Sequence, residues 1–319
     1  MTFIRFSALS RRRLIGGLGA AVLGAAAPPG ALPAFAGTSR RPSGRVTALA
    51  FDQGALVLAA AGIWTSPDGG ANLLPRSQGP GAPVAALAAH PDRPGMLLAA
   101  TASVGLMRSE DGGSSWHPAA PGLPAAPLDA VAIATHDPLT LYVAVRGDGL
   151  WQSNDGGKSW DFAMDRPLVD KVEVDVQALA SVGSLSGMGG YWVYAGTAKG
   201  ASRVPDCFCR WQTLESADAM TTGTAKPAPV DPAPRLPHLS VTSLTLAPSV
   251  PEVLFAGLPS GVWRTRDSGS TWKIVNGALT SPLLAVDPLD PNHVVAADAG
   301  GTILSSRDGG ATWAAPSAA

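Results

Sequence analysis

The chain has 319 residues, 23 Lys+Arg against 24 Asp+Glu for a formal charge of −1, with 37 Gly and 29 Pro. No basic stripe is available to neutralise phosphates, so nucleic acid is not expected as a partner. Sparse charge with abundant Gly and Pro suits many short strands joined by turns rather than long helices.

The chain starts with Arg5 and Ser10-Arg11-Arg12-Arg13, continues through a Gly/Ala/Leu run from Leu14 to Ala27, and reaches the small-x-small site Ala34-Phe35-Ala36. This is the pattern of a twin-arginine secretory signal cleaved after Ala36. It predicts an exported protein, periplasmic or extracellular. The apolar run is too short and too rich in Gly and Ala to span a bilayer well, so no stable membrane span is expected after cleavage. Residues 1–36 carry four Arg and no acid, which leaves 19 Lys+Arg against 24 Asp+Glu, a formal −5, for one all-β domain over 37–319. A monomer is expected.

Beyond the signal the chain repeats. Ser153 to Trp160 reads SNDGGKSW, Ser109 to Trp116 SEDGGSSW, Thr265 to Trp272 TRDSGSTW, Ser306 to Trp313 SRDGGATW and Ser66 to Leu73 SPDGGANL. A carboxylate followed by glycine is turn chemistry, and the tryptophan five residues on anchors a returning strand. Aligned on this aspartate there are six units, at Asp68, Asp111, Asp155, Asp206, Asp267 and Asp308, spaced 43, 44, 51, 61 and 41 residues apart. Asp206 is the departure: its turn glycines are replaced in Asp206-Cys207-Phe208-Cys209-Arg210-Trp211. Six residues before the aspartate stand Gly62, Gly105, Gly149, Gly200 and Gly261, and four before it stand Trp64, Met107, Trp151, Ser202, Trp263 and Leu304. Each unit therefore reads strand, Pro turn, strand, Gly turn, strand, Asp turn, strand. That predicts a six-bladed β-propeller of four-stranded antiparallel blades with the Asp turns between third and fourth strands. The blades fall near 46–83, 84–127, 128–175, 176–240, 241–282 and 283–316, with a long Pro-rich inter-blade loop over 214–239. The last outer strand is expected to be very short, Trp313 to Ala315, supplemented by 38–44.

These boxes and the Asp-Pro turns resemble the Asp-box, or BNR, repeat proteins over nearly all of 46–316. The resemblance implies the propeller fold. It does not settle activity, because such repeats occur in sialidases, xyloglucan-cleaving hydrolases, sorting-receptor ectodomains and photosystem II assembly factors. A sialidase would need an arginine triad, a Tyr nucleophile with its Glu, and an Asp acid–base. The tyrosines Tyr142, Tyr191 and Tyr194 all fall in second strands, and Arg45-Val46-Thr47 does not match the Arg-Ile-Pro motif, so no sialidase residue is carried over.

Function is expected where the repeat breaks, around the fourth unit. Its leading segment 165–176 is dense in charge and offers Asp165, Asp170, Lys171 and Glu173 for binding, together with Trp192, the one tryptophan outside both repeat columns, and His238 in the long connection. Asp170, Glu173 and Asp175 are the weak candidates for a catalytic acid pair on the face that carries the blade connections, where Asp148 and Asp298 also lie. The six repeat aspartates are read as structural, since a ring holds its copies apart. Cys207 and Cys209 form a local disulfide staple, a redox pair, or two free thiols, with the staple preferred. His90, His136 and His293 decorate Pro turns. No metal site and no cofactor are expected. Two functions follow: a non-catalytic binding or scaffold module for a protein or glycan partner, or a glycoside hydrolase using acids on the connection face.

Overall fold

Repetition of one strand–turn unit produces a ring of six antiparallel sheets. The computed structural model describes residues 42, 44–186, 190–214 and 234–317. Residues 1–41, 43, 187–189, 215–233 and 318–319 lie outside the described residues, and with them the expected signal segment 1–36 and most of the expected closing segment 38–44. Blade 1 runs Ala48–Asp52, Ala55–Ala60, Gly62–Ser66 and Leu74–Ser77, in that order from axis to rim. Blades 2 to 5 repeat this order, starting at Val84–Ala89, Leu128–Ala134, Val176–Leu185 and Ser243–Leu246. Blade 6 has three strands, Leu283–Asp287, Asp290–Ala297 and Ile303–Ser306. Its fourth strand shrinks to one antiparallel bridge, Ser305 with Ala314. No helix occurs among the described residues.

The sequence columns are strand registers. The residue four before each aspartate pairs with an equivalent second-strand residue in every blade: Trp64 with Leu58, Met107 with Ala99, Trp151 with Val143, Ser202 with Ala195, Trp263 with Ala256 and Leu304 with Ala296. Alternate side chains of a strand leave opposite faces of its sheet, so each blade offers one apolar face to the blade before it and one to the blade after. The core is accordingly a set of inter-blade layers. One layer joins Val143, Leu141 and Trp160 of blade 3 to Leu98 and Leu106 of blade 2. Another joins Phe51 and Leu56 of blade 1 to Ala285 and Val295 of blade 6. The ring thus closes by side-chain packing between the first and last blades, each drawn from one contiguous stretch of chain.

At the seam between blades 6 and 1, His293 is 2% exposed and meets the ring of Phe51 edge to face at 5.1 Å, while its Nδ1 lies 3.2 Å from Asp287 Oδ2. The carboxylate of Asp287 is buried, which raises its pKa, but the bond to His293 and the Leu289 amide outweigh this and hold it below the usual range.

The glycine six residues before the aspartate is needed for two reasons. Gly261 has φ +124, and a Cβ there would lie 2.0 Å from the carbonyl oxygen of Asn276 on the fourth strand. Gly105 has φ +75 and nothing within 4 Å of such a Cβ. Gly261→Ala is expected to destabilise the fold by about 2–3 kcal/mol and Gly105→Ala by no more than about 1 kcal/mol, read as shifts in urea midpoint.

Candidate functional site

The alternation of antiparallel strands sorts the loops. The first-to-second-strand turns and the Asp turns share one face, and the second-to-third-strand turns and blade connections share the other. Backbone bonds confirm the pairing on the turn face: Gly112 N–H donates to Gly95 O (2.9 Å), Gly156 to Leu139 O (2.9 Å), Ser268 to Glu252 O (3.0 Å) and Gly309 to Asn292 O (2.9 Å).

Five of the aspartates make one repeated network. Asp155 Oδ1 accepts from the Ser153 hydroxyl (2.8 Å) and the Ser159 amide (2.9 Å), and Oδ2 accepts from the Ser159 hydroxyl (2.6 Å). The Gly157 amide donates to Ser153 Oγ at 2.8 Å. The same bonds recur at Asp111, Asp267 and Asp308, and at Asp68 with the Asn72 side-chain amide in place of the hydroxyl on Oδ2. Donors on every side stabilise the charged form. The Thr312 hydroxyl and amide bring Asp308 down to about 2, and at Asp111 partial burial is outweighed by Ser115, Ser109 and Ser114, again giving about 2. These carboxylates are turn hubs, each complete within its own blade.

An arginine links four of the seams. Arg108 Nη1 donates to the Gly156 carbonyl of blade 3 (2.9 Å), Arg203 to the Ser268 carbonyl of blade 5 (3.4 Å), and Arg264 to the Gly309 carbonyl of blade 6. Arg76 reaches the Asp111 carbonyl of blade 2 at 2.6 Å from a fourth strand. Each acceptor belongs to the turn aspartate or the residue after it. Arg108, Arg203 and Arg264 stand three residues before their own aspartates. This column was readable in the sequence, but its role needed the neighbouring blade.

The axial channel, about 180 Å³, is lined by the first strands of all six blades. Its wall is Ala, Leu, Val, Ile, Phe and Pro with Thr, Ser and Gln, and no charged residue stands in it. The hydroxyls of Thr135 and Ser181 are buried there without a protein partner. A wall of neutral groups offers weak hydrogen bonds but no acid, base or nucleophile near neutral pH.

On the connection face, 165–176 is more than a charged loop. Leu168–Val169 and Val172–Glu173 pair as a separate two-stranded hairpin. Asp170 and Lys171 form its turn with φ +52 and +64, the double left-handed conformation that a two-residue hairpin turn requires. Leu168 and Val172 are 63% and 52% exposed. Two of the candidate acids, Glu173 and Asp175, meet one guanidinium. Glu173 forms a short ion pair with Arg166, and Asp175 Oδ1 lies 3.4 Å from the same guanidinium and accepts the Gly147 amide at 2.8 Å. Asp148 Oδ2 accepts the Trp151 indole N–H at 2.6 Å, and Asp298 Oδ1 accepts the Thr302 amide at 2.9 Å. Asp165 is exposed, and its carbonyl accepts the Trp211 indole N–H at 2.7 Å.

His238 does come to the hairpin. It lines a small cavity of about 30 Å³ with Val169, Lys199, Arg235, Leu236 and Trp272. Trp192 does not join them. Expected as a binding ring, it is 2% exposed in the second strand of blade 4, with the Arg203 guanidinium carbon 4.3 Å from its ring centroid. It packs in the layer between blades 4 and 5, with Tyr194, Leu254 and Trp272.

The architecture and this face define a six-bladed all-β propeller with one irregular sector. No protein-family model matches the sequence, and no curated protein matches it. Among solved structures, U3-55K is similar at 12% identity and TM-score 0.53, over 82% of this chain and 90% of that one. An ancestral GH74 enzyme is similar at 18% identity and TM-score 0.52, over 85% of this chain and 38% of that one. YCF48 bound to D1 peptide aligns at 17% identity and TM-score 0.48, over 86% and 83%. The chain spans less than half the length of the GH74 enzymes it matches. These likenesses are of fold.

Because the Asp111 and Asp308 carboxylates titrate low, their contribution to stability is present above about pH 4, the unfolded value, and is lost as the pH falls through their folded values of about 2. Thermal melts should show the midpoint falling between about pH 4 and pH 2, and Asp111→Asn with Asp308→Asn should flatten that fall while lowering the midpoint at pH 7.

Proposed function

We propose that this chain is an exported, non-catalytic propeller of the Asp-box type that presents the 168–173 hairpin and its surroundings to a protein partner. The hairpin carries the proposal. It belongs to none of the six blades, and it holds Leu168 and Val172 in solvent between Asp170, Lys171 and Glu173. Exposed apolar side chains rimmed by charge are the composition of a recognition surface. His238, at the small cavity beside Val169, extends the surface toward the long connection. Asp165 lies at its other end. The signal-like start supports delivery through the twin-arginine route. No helix among the described residues is long and apolar enough to cross a membrane.

The alternative is a glycoside hydrolase with acids on the connection face. A pair of carboxylates must stand across a cleft with one free to give a proton and the other to attack or to activate water. Here Glu173 and Asp175 share one guanidinium, and Asp148 and Asp298 are bound to their own turns. This speaks for binding rather than turnover.

Two measurements separate the readings. Mature protein should release no sugar from a panel of β-glucans, xyloglucan and sialosides; turnover abolished by Asp170→Ala/Glu173→Ala/Asp175→Ala would overturn the proposal. In crosslinking and mass spectrometry on the native exported fraction, partner peptides should map to 165–175. A Leu168→Asp/Val172→Asp variant should lose those crosslinks by about tenfold or more while keeping its melting temperature.

A further inference from the structure

The fourth blade closes its turn differently from the five regular turns. At those five, a Ser or Thr two residues before the aspartate and a Gly two residues after it form the hydroxyl-centred network. At Asp206 the first position is Val204 and the second is Phe208. Phe208 nevertheless has φ +50, in the left-handed region, where a bulky side chain is rarely found. The chain is reversed instead by a disulfide between Cys207 and Cys209, whose Cα atoms are 5.5 Å apart, and by the Phe208 amide donating to Pro205 O at 2.8 Å. Both cysteines are exposed at the apex of the turn.

The same turn stands at a seam with its own fastening. Where Arg108, Arg203 and Arg264 reach the next blade, blade 3 carries Gln152, which stands across the sheet from Tyr142 of its own blade. Blade 3 meets blade 4 instead through Phe208, edge to face on Tyr142 at 6.2 Å, and through the Trp211 indole N–H on Asp165 O. Phe208 lies inside the bridged loop, and Trp211 follows it by three residues.

We propose that Cys207–Cys209 is a thiol-exchange site on the turn face, reduced and re-formed in the folded protein, and that its state sets how firmly blade 4 is fastened to blade 3. A bridge across one intervening residue removes little freedom from the unfolded chain, so folding protects it weakly. Its sulfurs are open to an attacking thiolate. The co-reactant is a small thiol of the glutathione class or an exposed protein thiol. A thiolate attacks one Sγ and forms a mixed disulfide; the S–S bond breaks and its electron pair leaves on the other Sγ, which takes a proton from water. A second thiolate attacks the partner sulfur of the mixed disulfide and releases the first cysteine as thiolate, which is protonated in turn. In sum, two thiols give up two electrons and become one disulfide, and the bridge becomes two cysteine thiols. Reduction frees Phe208 from its left-handed conformation and loosens its hold on Tyr142.

The test uses the full mature protein in buffers of reduced and oxidised glutathione, without denaturant. Native alkylation and peptide mass spectrometry should find both cysteines labelled in reduced glutathione and bridged again after transfer to the oxidised form. Hydrogen exchange in 205–213 and at Tyr142 should rise about threefold or more on reduction, with blades 1, 2 and 5 unchanged. Cys207→Ala/Cys209→Ala should show the raised exchange in both buffers. A bridge that resists reduction until the protein is unfolded, or cysteines found unbridged in oxidised protein, would overturn the exchange site. Exchange at 205–213 that ignores the redox state would overturn its link to the seam, and the wild-type measurement decides this even if the double variant fails to fold.

Discussion

The constraint on which the ring depends is the orientation of the backbone at the turn aspartate. Its carboxylate gathers a hydroxyl two residues back and an amide and hydroxyl four residues on, and so fixes the chain reversal locally. That reversal turns a carbonyl outward, at the aspartate or the next residue. At four seams an arginine from the preceding blade donates to that carbonyl. Local turn chemistry therefore presets the acceptor for the link between blades. A charged donor on a neutral acceptor at a half-buried seam is stronger than a neutral pair and fixes direction as well as distance. Packing of Ala, Leu and Val between sheets supplies the bulk of cohesion but tolerates sliding; the hydrogen bonds set the register of one blade against the next.

Two seams use other means. Between blades 6 and 1 a buried His293–Asp287 pair and the ring of Phe51 take the place of the arginine. Between blades 3 and 4 the aromatic contacts of Phe208 and Trp211 do so, on a turn bridged by sulfur rather than organised by a hydroxyl. The irregular features of the molecule gather on both sides of this second seam. The extra hairpin follows blade 3 on the connection face, and the Cys-Phe-Cys turn belongs to blade 4 on the turn face. A ring that is regular elsewhere and altered in one sector has its surface individuality there.

The axial channel is chemically quiet for a topological reason. Inner strands send their side chains toward the neighbouring blades and need small apolar residues to do so, which leaves neutral groups along the axis. The charged groups are driven to the loops, where Arg166, Asp175 and Glu173 satisfy one another at the base of the hairpin.

The sequence by itself determined the six repeats, the strand order within each, and the role of five aspartates as turn residues. Those are local matters: a hydroxyl, a carboxylate and a glycine within four residues of one another satisfy their own hydrogen bonds wherever the chain goes. It also showed that the fourth unit departs from the pattern. The hairpin at 168–173 had a legible signal, Asp170-Lys171 between the short runs Leu168-Val169 and Val172-Glu173, but its charge density masked it as a loop. Only the tertiary structure decided that Trp192 is buried under Arg203 and that Glu173 and Asp175 are bound to Arg166. It also brought His238 beside Val169 and gave the arginine column its partner in the next blade. Each of these depends on which residues meet across a seam, and spacing along one chain does not encode that distance.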